Sequence, residues 1–316
     1  MPQNVVIGID LGGTRIRAAC MDTDLNMLTR SETLTLDKEG QDAVVQRMIE
    51  QARAVWPSNG DAVKSVGISA PGPVNPVARL LVAPPNLLGW HNVPLGRLLT
   101  DALGVTTYLG NDANLAALAE SKLGAARGYQ HVVYLTQSTG IGSGILVNGE
   151  MLVGSKGLGA EAGHMMMYVD NERVATLEKE AAGTALGRQA RAAIEAGTPS
   201  AILDLAGGDP AAIKGYMVGE AAKAGDPLGV KLIERAGMFM GLGIVSLLHL
   251  FNPEIVVIGG GVAEGNWDML IGPMHQAIEA NAMDPDYWID LKIVQAQLGE
   301  NVSIIGAGAL ALQHMS

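Results

Sequence analysis

The segment that most constrains the fold lies near the amino terminus and reads VVIGIDLGGTRIRAA (residues 5–19). Two apolar runs, at 4–10 and 15–21, predict two strands joined by a glycine-rich connection. Such a connection has two interpretations. It is either a plain β-hairpin turn, or a loop whose backbone N–H groups bind phosphate around Gly12, Gly13 and Thr14. Asp10 precedes it and is placed to hold a cation through water.

A second strand-and-glycine unit follows near the middle of the chain. HVVYLT (131–136) predicts a buried strand, and STGIGSG (138–144) predicts a glycine loop with Thr139 as a side-chain donor to phosphate. The glycines at 140, 142 and 144 do not match the dinucleotide fingerprint G-x-G-x-x-G, and the chain contains no P-loop signature. A plain turn remains the alternative. Two such loops in one chain, however, favour phosphate binding at both ends of a polyphosphate, which indicates a nucleotide ligand.

The remaining pattern alternates strands and helices. Helices are predicted at 42–56, about 95–103, 177–196, about 209–222 and about 226–251, and strands at about 25–35, 63–69, 105–109, 145–154 and 254–258. The order of these elements indicates an α/β protein. No linker separates the two halves of the chain.

The strand EIVVI (254–258) is followed by a third glycine cluster, Gly259, Gly260 and Gly261. A strand that ends in three glycines lets a flat ring or a ribose lie against the backbone. The alternatives are a Rossmann-type site, for which the spacing to Gly265 is one residue too wide, and close packing of strand and helix.

The segment GNDAN (110–114) places Asp112 where a strand ends and a helix begins. Capping the helix is one role for Asp112, because Asp and Asn are common N-cap residues. However, Asn111, Asp112 and Asn114 exceed what one helix end requires. A carboxylate at the carboxyl end of a strand is also well placed to accept a proton from a substrate hydroxyl, and we favour that role.

Two further segments, GAEAGHMMM (159–167) and LEKEAAGTAL (177–186), contain Glu161, His164 and Glu178. Carboxylates accept hydrogen bonds and imidazole can donate or accept, so the three side chains suit a polyhydroxy ligand. Structural roles are the alternative, and Glu180 on the same predicted helix competes with Glu178 for the ligand-binding role.

Composition excludes several classes of protein. The chain has 316 residues, 48% hydrophobic, and a net charge of −11, which disfavours nucleic acid as a partner. The single cysteine, Cys20, forms no internal disulfide. The longest apolar run, 237–251, is too short for a bilayer and contains His249, so it predicts a buried helix rather than a membrane span. With no signal peptide, a cytoplasmic location is expected.

Nine motifs in this order resemble the ROK family of bacterial sugar kinases and repressors, over residues 5 to 313. They are GIDLGGT, SAPGPV, PNLLGW, GNDANLAALAE, STGIGSGI, GAEAGHM, LEKEAAGTAL, VVIGGGV and IIGAGALAL. The resemblance implies a two-domain actin/hexokinase-like (ribonuclease H-like) fold with a central interdomain cleft. Residues 1–117 would form a smaller N-terminal α/β domain, joined by a helix at about 301–316, and residues 118–300 a larger one.

The resemblance also implies roles for individual residues. DLGGT and STGIGSG would be the phosphate loops, GGGV would lie near adenosine, and Asp112 would be the catalytic base. The sugar-binding set would comprise Gly72, Asn86, Asn111, Asp112, Glu161, His164 and Glu178. The nucleotide-binding set would comprise Asp10, Gly12, Gly13, Thr14, Thr139, Gly140, Gly142, Gly259, Gly260 and Gly261.

One segment departs from the family pattern. Many members hold zinc with the histidine of E-x-G-H and three cysteines, but here the corresponding stretch, MMMYVDNERVATLE (165–178), has no cysteine. A structural zinc site needs about four ligands, so no zinc is predicted. His164 would then serve the sugar alone, and packing, with a contribution from Met165–Met167, would hold the loop.

The predicted activity is ATP-dependent phosphorylation of a hexose, with glucose as the expected acceptor and Mg²⁺ near Asp10 on the ATP phosphates. The alternatives are a kinase for fructose, allose, mannose or an N-acetylated hexosamine, and a non-catalytic sugar sensor. Polyphosphate as the phosphoryl donor is not supported, because the sequence shows no run of basic residues that would bind a long polyanion. Family regulators carry a DNA-binding segment before the first strand, for which residues 1–4 leave no room, so an enzyme is expected. A homodimer is a family-based expectation.

Overall fold

The structure is a computed structural model that describes residues 3–84, 86–169 and 173–315. Parts of three predicted segments lie outside the described residues: Pro85 of PNLLGW, residues 170–172 of the segment without cysteines, and Ser316 at the end of the last helix. The chain divides into two compact units. The first comprises Met1–Gly128, Met151–Ala160 and Leu298–Ser316, and the second comprises Tyr129–Glu150 and Glu161–Gln297.

The first unit is built on a five-stranded mixed sheet. Its strands are β1 (Asn4–Leu11), β2 (Arg15–Met21), β3 (Met27–Leu34), β4 (Ala62–Ala70) and β7 (Thr107–Asn111), while β5 (Val74–Asn75) and β6 (Leu80–Leu81) form a separate ribbon. The order in the sheet is β3-β2-β1-β4-β7. β1 and β2 run antiparallel, as do β2 and β3, whereas β1, β4 and β7 run parallel. The parallel strands therefore end at one edge, where the connection to each following element begins.

Helices cover both faces of this sheet. They are α1 (Gln41–Ala54), α2 (Leu95–Leu103), α3 (Asp112–Lys122) and α10 (Val302–Gln313). Side chains alternate along β1 because successive residues of a strand point to opposite faces. Ile7 and Ile9 belong to the core beneath α1 and α2, whereas Val6 belongs to the core beneath α3 and α10. Asp10 is four residues after Val6 in the same strand, so its side chain points to the same face of the sheet, the face that carries α3.

The last helix packs unusually close to the first sheet. A Cβ atom on Gly67 of β4 would overlap the carbonyl group of Ala307, so only glycine permits this approach. Next to it, the buried hydroxyl of Ser65 donates a hydrogen bond to the carbonyl oxygen of Ala311, at 2.8 Å. The small residues of IIGAGALAL and of β4 thus fix α10 against the first sheet.

The second unit repeats the topology of the first. Its sheet consists of β8 (Val132–Gln137), β9 (Ile141–Val147), β10 (Glu150–Met151), β13 (Ile255–Gly259) and β14 (Lys292–Gln295), in the order β10-β9-β8-β13-β14. β8 runs antiparallel to β9 and parallel to β13, which runs parallel to β14. The weak internal repeat in the sequence, a strand followed by a glycine loop, therefore corresponds to a repeated sheet.

The helices of the second unit follow between β10 and β14. They are α4 (Leu177–Ala181), α5 (Gly183–Glu195), α6 (Ile202–Leu205), α7 (Gly215–Lys223), α8 (Pro227–Phe251) and α9 (Gly261–Asn281). A hairpin of β11 (Met166–Val169) and β12 (Arg173–Thr176) precedes α4. The apolar run at 237–251 lies in α8, as predicted, and much of that helix is buried.

The structure corrects five predicted elements. The helix predicted at about 209–222 is a 3₁₀ turn (Pro210–Ala212) followed by α7, and the strand predicted at 145–154 is the end of β9 followed by the two residues of β10. The helix predicted over 177–196 is two helices, because the extended backbone of Ala182 (ψ 164°) separates α4 from α5. The strand predicted at 105–109 is β7, which starts two residues later and extends to Asn111. The glycine loop predicted over 138–144 is shorter, since Gly142 lies within β9 and pairs with Thr136; β-branched and apolar neighbours extend the strand despite its glycines.

None of the helices in the described part of the chain is both long and apolar enough to cross a membrane.

Candidate active site

Asp10 is the centre of a polar cluster on the first sheet. It pairs in register with Arg17 of β2 and with Ser69 of β4. An Arg17 guanidinium nitrogen (Nη1) lies 3.8 Å from the Asp10 carboxylate (Oδ2), and the Asp10 side chain is only 13% exposed. Burial raises the pKa of Asp10 to about 6; Arg17 opposes the rise, and the Asp112 carboxylate adds to it. Two acidic groups, from β1 and α3, therefore repel each other at a position of low solvent exposure.

Asp112 reaches that cluster because β7 ends beside β4. Asn111, the last residue of β7, is the N-cap of α3: its side-chain oxygen (Oδ1) accepts hydrogen bonds from the backbone N–H groups of Ala113 (3.0 Å) and Asn114 (3.2 Å). Asp112 is the first helical residue and accepts one bond from Ala113 N–H. The capping role considered for Asp112 thus belongs to Asn111, and the Asp112 carboxylate acts electrostatically on Asp10.

The first glycine loop is a tight hairpin between β1 and β2. Gly12 N–H donates to the carbonyl oxygen of Arg15 at 2.9 Å. Neither Gly12 nor Gly13 has a φ in the left-handed region, so the conformational freedom of glycine is unused here. The buried Thr35 supports the loop through two bonds, from its N–H to Thr14 (2.8 Å) and from its hydroxyl to the Gly12 carbonyl (2.6 Å). Sequence reasoning missed Thr35, because it lies 21 positions after the loop and no short-range sequence pattern connects the two.

Asn86 and Gly72 both lie near the carboxyl edge of the first sheet. A Cβ atom on Gly13 would lie 3.5 Å from the Cβ of Asn86, so the exposed Asn86 borders the hairpin loop. Its position is fixed by its buried neighbours Leu87 and Trp90. Gly72 lies two residues after the end of β4, at the edge where β1 and β7 also end. The carboxyl edge of the first sheet therefore collects the predicted residues Asp10, Gly12, Gly13, Thr14, Gly72, Asn86, Asn111 and Asp112.

In the second unit the loop Ser138–Gly140 is held by Glu178 and by α5. A carboxylate oxygen of Glu178 (Oε2) accepts a hydrogen bond from the N–H of Ile141 at 2.9 Å. The carbonyl oxygen of Thr139 accepts from the Thr184 hydroxyl at 2.9 Å, and the Ser138 carbonyl accepts from the N–H of Gly183 at 2.8 Å. Glu178, predicted as a sugar ligand, is therefore also connected to the predicted phosphate loop.

A cavity of about 810 Å³ opens beside this loop. Such a volume is typical of small-molecule sites, which enclose about 300–1,000 Å³. Ser138 and Thr139 line it, together with the first residues of three helices: Gly183 of α5, Gly215 of α7 and Gly261 of α9. None of the three helices has a side-chain N-cap. Helix N-termini carry partial positive charge, so their convergence favours an anionic ligand.

The GGGV segment turns from β13 into α9 at this cavity. Gly259 ends the strand, Gly260 adopts a left-handed φ of +93° that favours glycine, and Gly261 begins the helix. β13 lies next to β8, so this turn and the loop after β8 meet at the same edge. The prediction that GGGV and the second glycine loop share one site is consistent with this geometry.

Sequence reasoning missed much of the cavity wall. Arg188, Lys214 and Lys223 add positive charge, and Tyr216 adds a side chain that is 60% exposed. Asn266 lies where α9 departs from helical geometry. One signal was available: the pattern G-x-x-x-G occurs at 183–187, 215–219 and 261–265, at the start of each lining helix. These glycines let the lining helices approach one another closely: a Cβ atom on Gly215 would overlap the carbonyl group of Gly183, whereas Gly261 has open space beside it.

Glu161 and His164 lie on a short 3₁₀ turn, Ala162–His164, and both are exposed. The turn is tied to β9, because the Ala162 N–H donates to the Ser143 hydroxyl at 2.8 Å. It is also tied to α4, since the Leu177 N–H donates to the Met165 carbonyl at 2.9 Å. The predicted ligands Glu161, His164 and Glu178 thus lie on connected backbone segments.

Glu180 is excluded as an alternative to Glu178. Its side chain has no exposed surface and accepts hydrogen bonds from Arg173 (2.7 Å) and Arg235 (2.6 Å). Burial opposes its ionisation, but the two arginines outweigh burial and hold the pKa of Glu180 below its ordinary value. Glu180 is a structural anion and is inaccessible to substrate.

The described residues hold no group of three or more His, Cys, Asp or Glu side chains suited to a metal ion. This does not conflict with Mg²⁺ at Asp10, because Mg²⁺ keeps several waters and binds through one or two carboxylates plus substrate phosphates. The paired negative charge of Asp10 and Asp112 fits a hard cation. The absence of zinc stays a prediction.

Comparison with known proteins identifies the family. The profile of the ROK family matches residues 6–314. The chain is 33% identical to a glucokinase of Thermotoga maritima over 315 residues, covering 98% of both chains. Among solved structures, a ROK hexokinase of Thermus thermophilus is similar with a TM-score of 0.82 and 33% identity, again over 98% of both chains.

A ROK-family glucokinase of Streptomyces griseus, solved with glucose and AMPPNP, is similar with a TM-score of 0.79 and 29% identity, covering 98% of this chain and 99% of that one. These similarities confirm the predicted α/β class and the two-domain actin/hexokinase-like fold. The family profile and the relatives that match over nearly the whole length show that this chain belongs to the ROK family.

Proposed function

We propose that the protein is an ATP-dependent hexokinase that converts glucose to glucose 6-phosphate. The observation that carries the proposal is the 33% identity to a glucokinase over 98% of both chains. The similar structure that contains glucose and AMPPNP supports both substrates.

On the acceptor side, Asp112 is proposed as the catalytic base. It would orient the sugar hydroxyl and take its proton as the new phosphorus–oxygen bond forms. Because Asn111 caps α3, the Asp112 carboxylate is not needed for that purpose. We further propose Gly72, Asn86, Asn111, Glu161, His164 and Glu178 as the residues around the sugar. Since the Oδ1 atom of Asn111 already accepts two bonds, Asn111 would contribute its two Nδ2 donors.

On the donor side, the cavity beside Ser138 and Thr139 would hold the nucleotide, with adenosine against Gly259–Gly261. The three helix N-termini and the cations Arg188, Lys214 and Lys223 suit its phosphates. The backbone N–H groups of Gly13, Thr14, Thr139 and Gly140 would donate to phosphate oxygens. Gly12, whose N–H is bonded to the Arg15 carbonyl, would instead shape the hairpin loop. Gly142, which pairs with Thr136 in β9, would fix the position of the second loop. Mg²⁺, held near Asp10, would offset the phosphate charge.

The test is a coupled ADP-release assay with Mg-ATP and a panel of glucose, mannose, fructose, allose, glucosamine, N-acetylglucosamine and N-acetylmannosamine. Glucose is expected to give the highest kcat/KM. A different best sugar would replace glucose as the substrate. No turnover with any sugar, by protein that binds ATP, would favour the sugar sensor. Light scattering on the same sample tests the expected homodimer.

A further inference from the structure

Helix α4 carries two glutamates that face opposite ways. It has only five residues, Leu177–Ala181, and isolated helices of that length are unstable in water. Glu178 and Glu180 are two positions apart, and residues at that spacing do not lie on the same helix face. Glu178 accepts a bond from Ile141 of β9, whereas Glu180 accepts bonds from Arg173 and Arg235. The helix is therefore fixed by one carboxylate on each side.

The Glu180 side of this arrangement is attached to rigid structure. Arg235 lies on α8, the long buried helix, and its guanidinium sits 4.5 Å from the centre of the Phe239 ring. Arg173 begins β12, which leads directly into α4, and Thr176 caps that helix by accepting a bond from Lys179 N–H. Glu180 thus joins the hairpin β11–β12 and α4 to the core of the second unit.

The Glu178 side reaches the candidate substrate residues. Ile141 donates its N–H to Glu178, and its carbonyl lies so close to Gly163 that a Cβ there would overlap it. Gly163 belongs to the turn between Glu161 and His164. A small rotation of α4 would therefore move Glu178 away from the Ile141 N–H. Because Ile141 also contacts Gly163, the rotation would change the distance between Glu178 and the turn that carries Glu161 and His164.

We propose that Glu180, held between Arg173 and Arg235, is a positioning residue that sets Glu178 against the start of β9 for binding the acceptor sugar. The role in sugar binding rests on the proposed function, whereas the placement of α4 does not. The ion pairs of Glu180 would thereby hold β12 and α4 together and tie both to α8.

The test uses Arg173, because its side chain is 50% exposed and its loss is the least disruptive to folding. Arg173→Ala removes one bond to Glu180, and Arg173→Lys keeps a positive charge. Arg97→Ala is the matched control: it removes an arginine from an exposed pair with Asp101 on α2. Two quantities are measured, the hydrogen-exchange rate of the Ile141 amide and the KM for glucose.

In Arg173→Ala the Ile141 amide is expected to exchange about tenfold faster, while amides of α8 keep their protection. The KM for glucose is expected to rise about tenfold with a smaller change in kcat. Arg173→Lys should recover part of both effects, and Arg97→Ala should show neither. A purely structural role would lower the melting temperature and the active fraction but would leave KM unchanged.

Unchanged exchange at Ile141 in Arg173→Ala overturns the positioning role. Faster exchange with an unchanged KM for glucose, in a protein whose wild type phosphorylates glucose, overturns the link to sugar binding. If the wild type phosphorylates no sugar, the proposed function fails, and the exchange rate of Ile141 still decides whether Glu180 positions α4.

Discussion

Two carboxylates of low exposure, Asp10 in the first unit and Glu180 in the second, have pKa values shifted in opposite directions. Burial raises the pKa of Asp10 to about 6, with its nearest cation 3.8 Å away and another carboxylate, Asp112, nearby. Glu180 has no exposed surface, yet two arginines within 2.7 Å hold its pKa below the ordinary value. Burial alone therefore does not decide the direction in which the pKa of a carboxylate shifts; the distance and number of its charged partners also decide it.

The opposite pKa shifts of Asp10 and Glu180 also indicate different roles for the two carboxylates. A carboxylate that is buried beside another acid destabilises the folded protein when ionised, and such an arrangement is common at active sites. A carboxylate that is saturated by two guanidinium groups stabilises the folded state and has no capacity left for a ligand. We therefore propose a chemical role for the Asp10 cluster and a structural, positioning role for the Glu180 cluster.

The largest effect is expected from Asp112→Asn. If Asp112 is the base, kcat should fall by about 10²- to 10⁴-fold, because a positioned general base contributes that much to the rate. The free energy of unfolding should change little, since Asn retains an oxygen for the Ala113 N–H. Steady-state kinetics and urea denaturation measure both, with Asp101→Asn on the exposed face of α2 as control. A kcat above one tenth of wild type would contradict the assignment.

Glu180→Gln should instead lower stability. Removing one partner of a fully buried ion pair costs about 3–5 kcal/mol. We expect about 3 kcal/mol, the lower end of that range, because the side chains of Arg173 and Arg235 are 50% and 24% exposed and water can partly solvate their charges. Urea denaturation measures the loss, and Glu195→Gln, on an exposed residue of α5, should change stability by less than about 0.5 kcal/mol.

A triple substitution, Arg173→Met with Glu180→Leu and Arg235→Met, sharpens this result. Apolar side chains of similar volume should recover most of the stability lost in Glu180→Gln. A triple variant no more stable than Glu180→Gln would show that packing, rather than the uncompensated charge, causes the loss.

Asp10→Asn should stabilise the metal-free protein in a pH-dependent way. Because the pKa of Asp10 is about 6 when folded and 3.8 when unfolded, the folded wild type loses stability as the pH rises from about 4 to about 6. The advantage of the variant should grow over that range to roughly 3 kcal/mol. Urea denaturation with EDTA at several pH values measures it. A difference that does not depend on pH would contradict the raised pKa.

The smallest effect is expected from Thr35→Val, which removes the hydroxyl that supports the first glycine loop. We expect a loss of about 1 kcal/mol in stability, the usual value of one hydrogen bond. We also expect a several-fold higher KM for Mg-ATP, because the loop would be less ordered. Thr33→Val on the neighbouring strand β3 is the control, and equal KM values for the two variants would show that Thr35 does not order the loop.

The sequence was informative where short-range patterns determine structure. Alternation along β1, the polar start of α3 and the glycine clusters predicted the elements and most of the candidate site, because strand period, capping and turn formation depend on neighbouring residues. The boundaries were less accurate: α4 and α5 were predicted as one helix, and Gly142 was placed in a loop although it belongs to β9.

By itself, therefore, the sequence determined the α/β class, the strand-and-loop repeat and the role of Asp112 as a candidate base. Only the tertiary structure decided which carboxylates have raised or lowered pKa values. It also decided that Asn111 rather than Asp112 caps α3, and that Thr35, Lys214 and Tyr216 belong to the candidate sites. It also decided between Glu178 and Glu180. The physical reason is that pKa values, ion pairs and cavity walls depend on distances between residues far apart in the chain, and only the folded structure sets those distances.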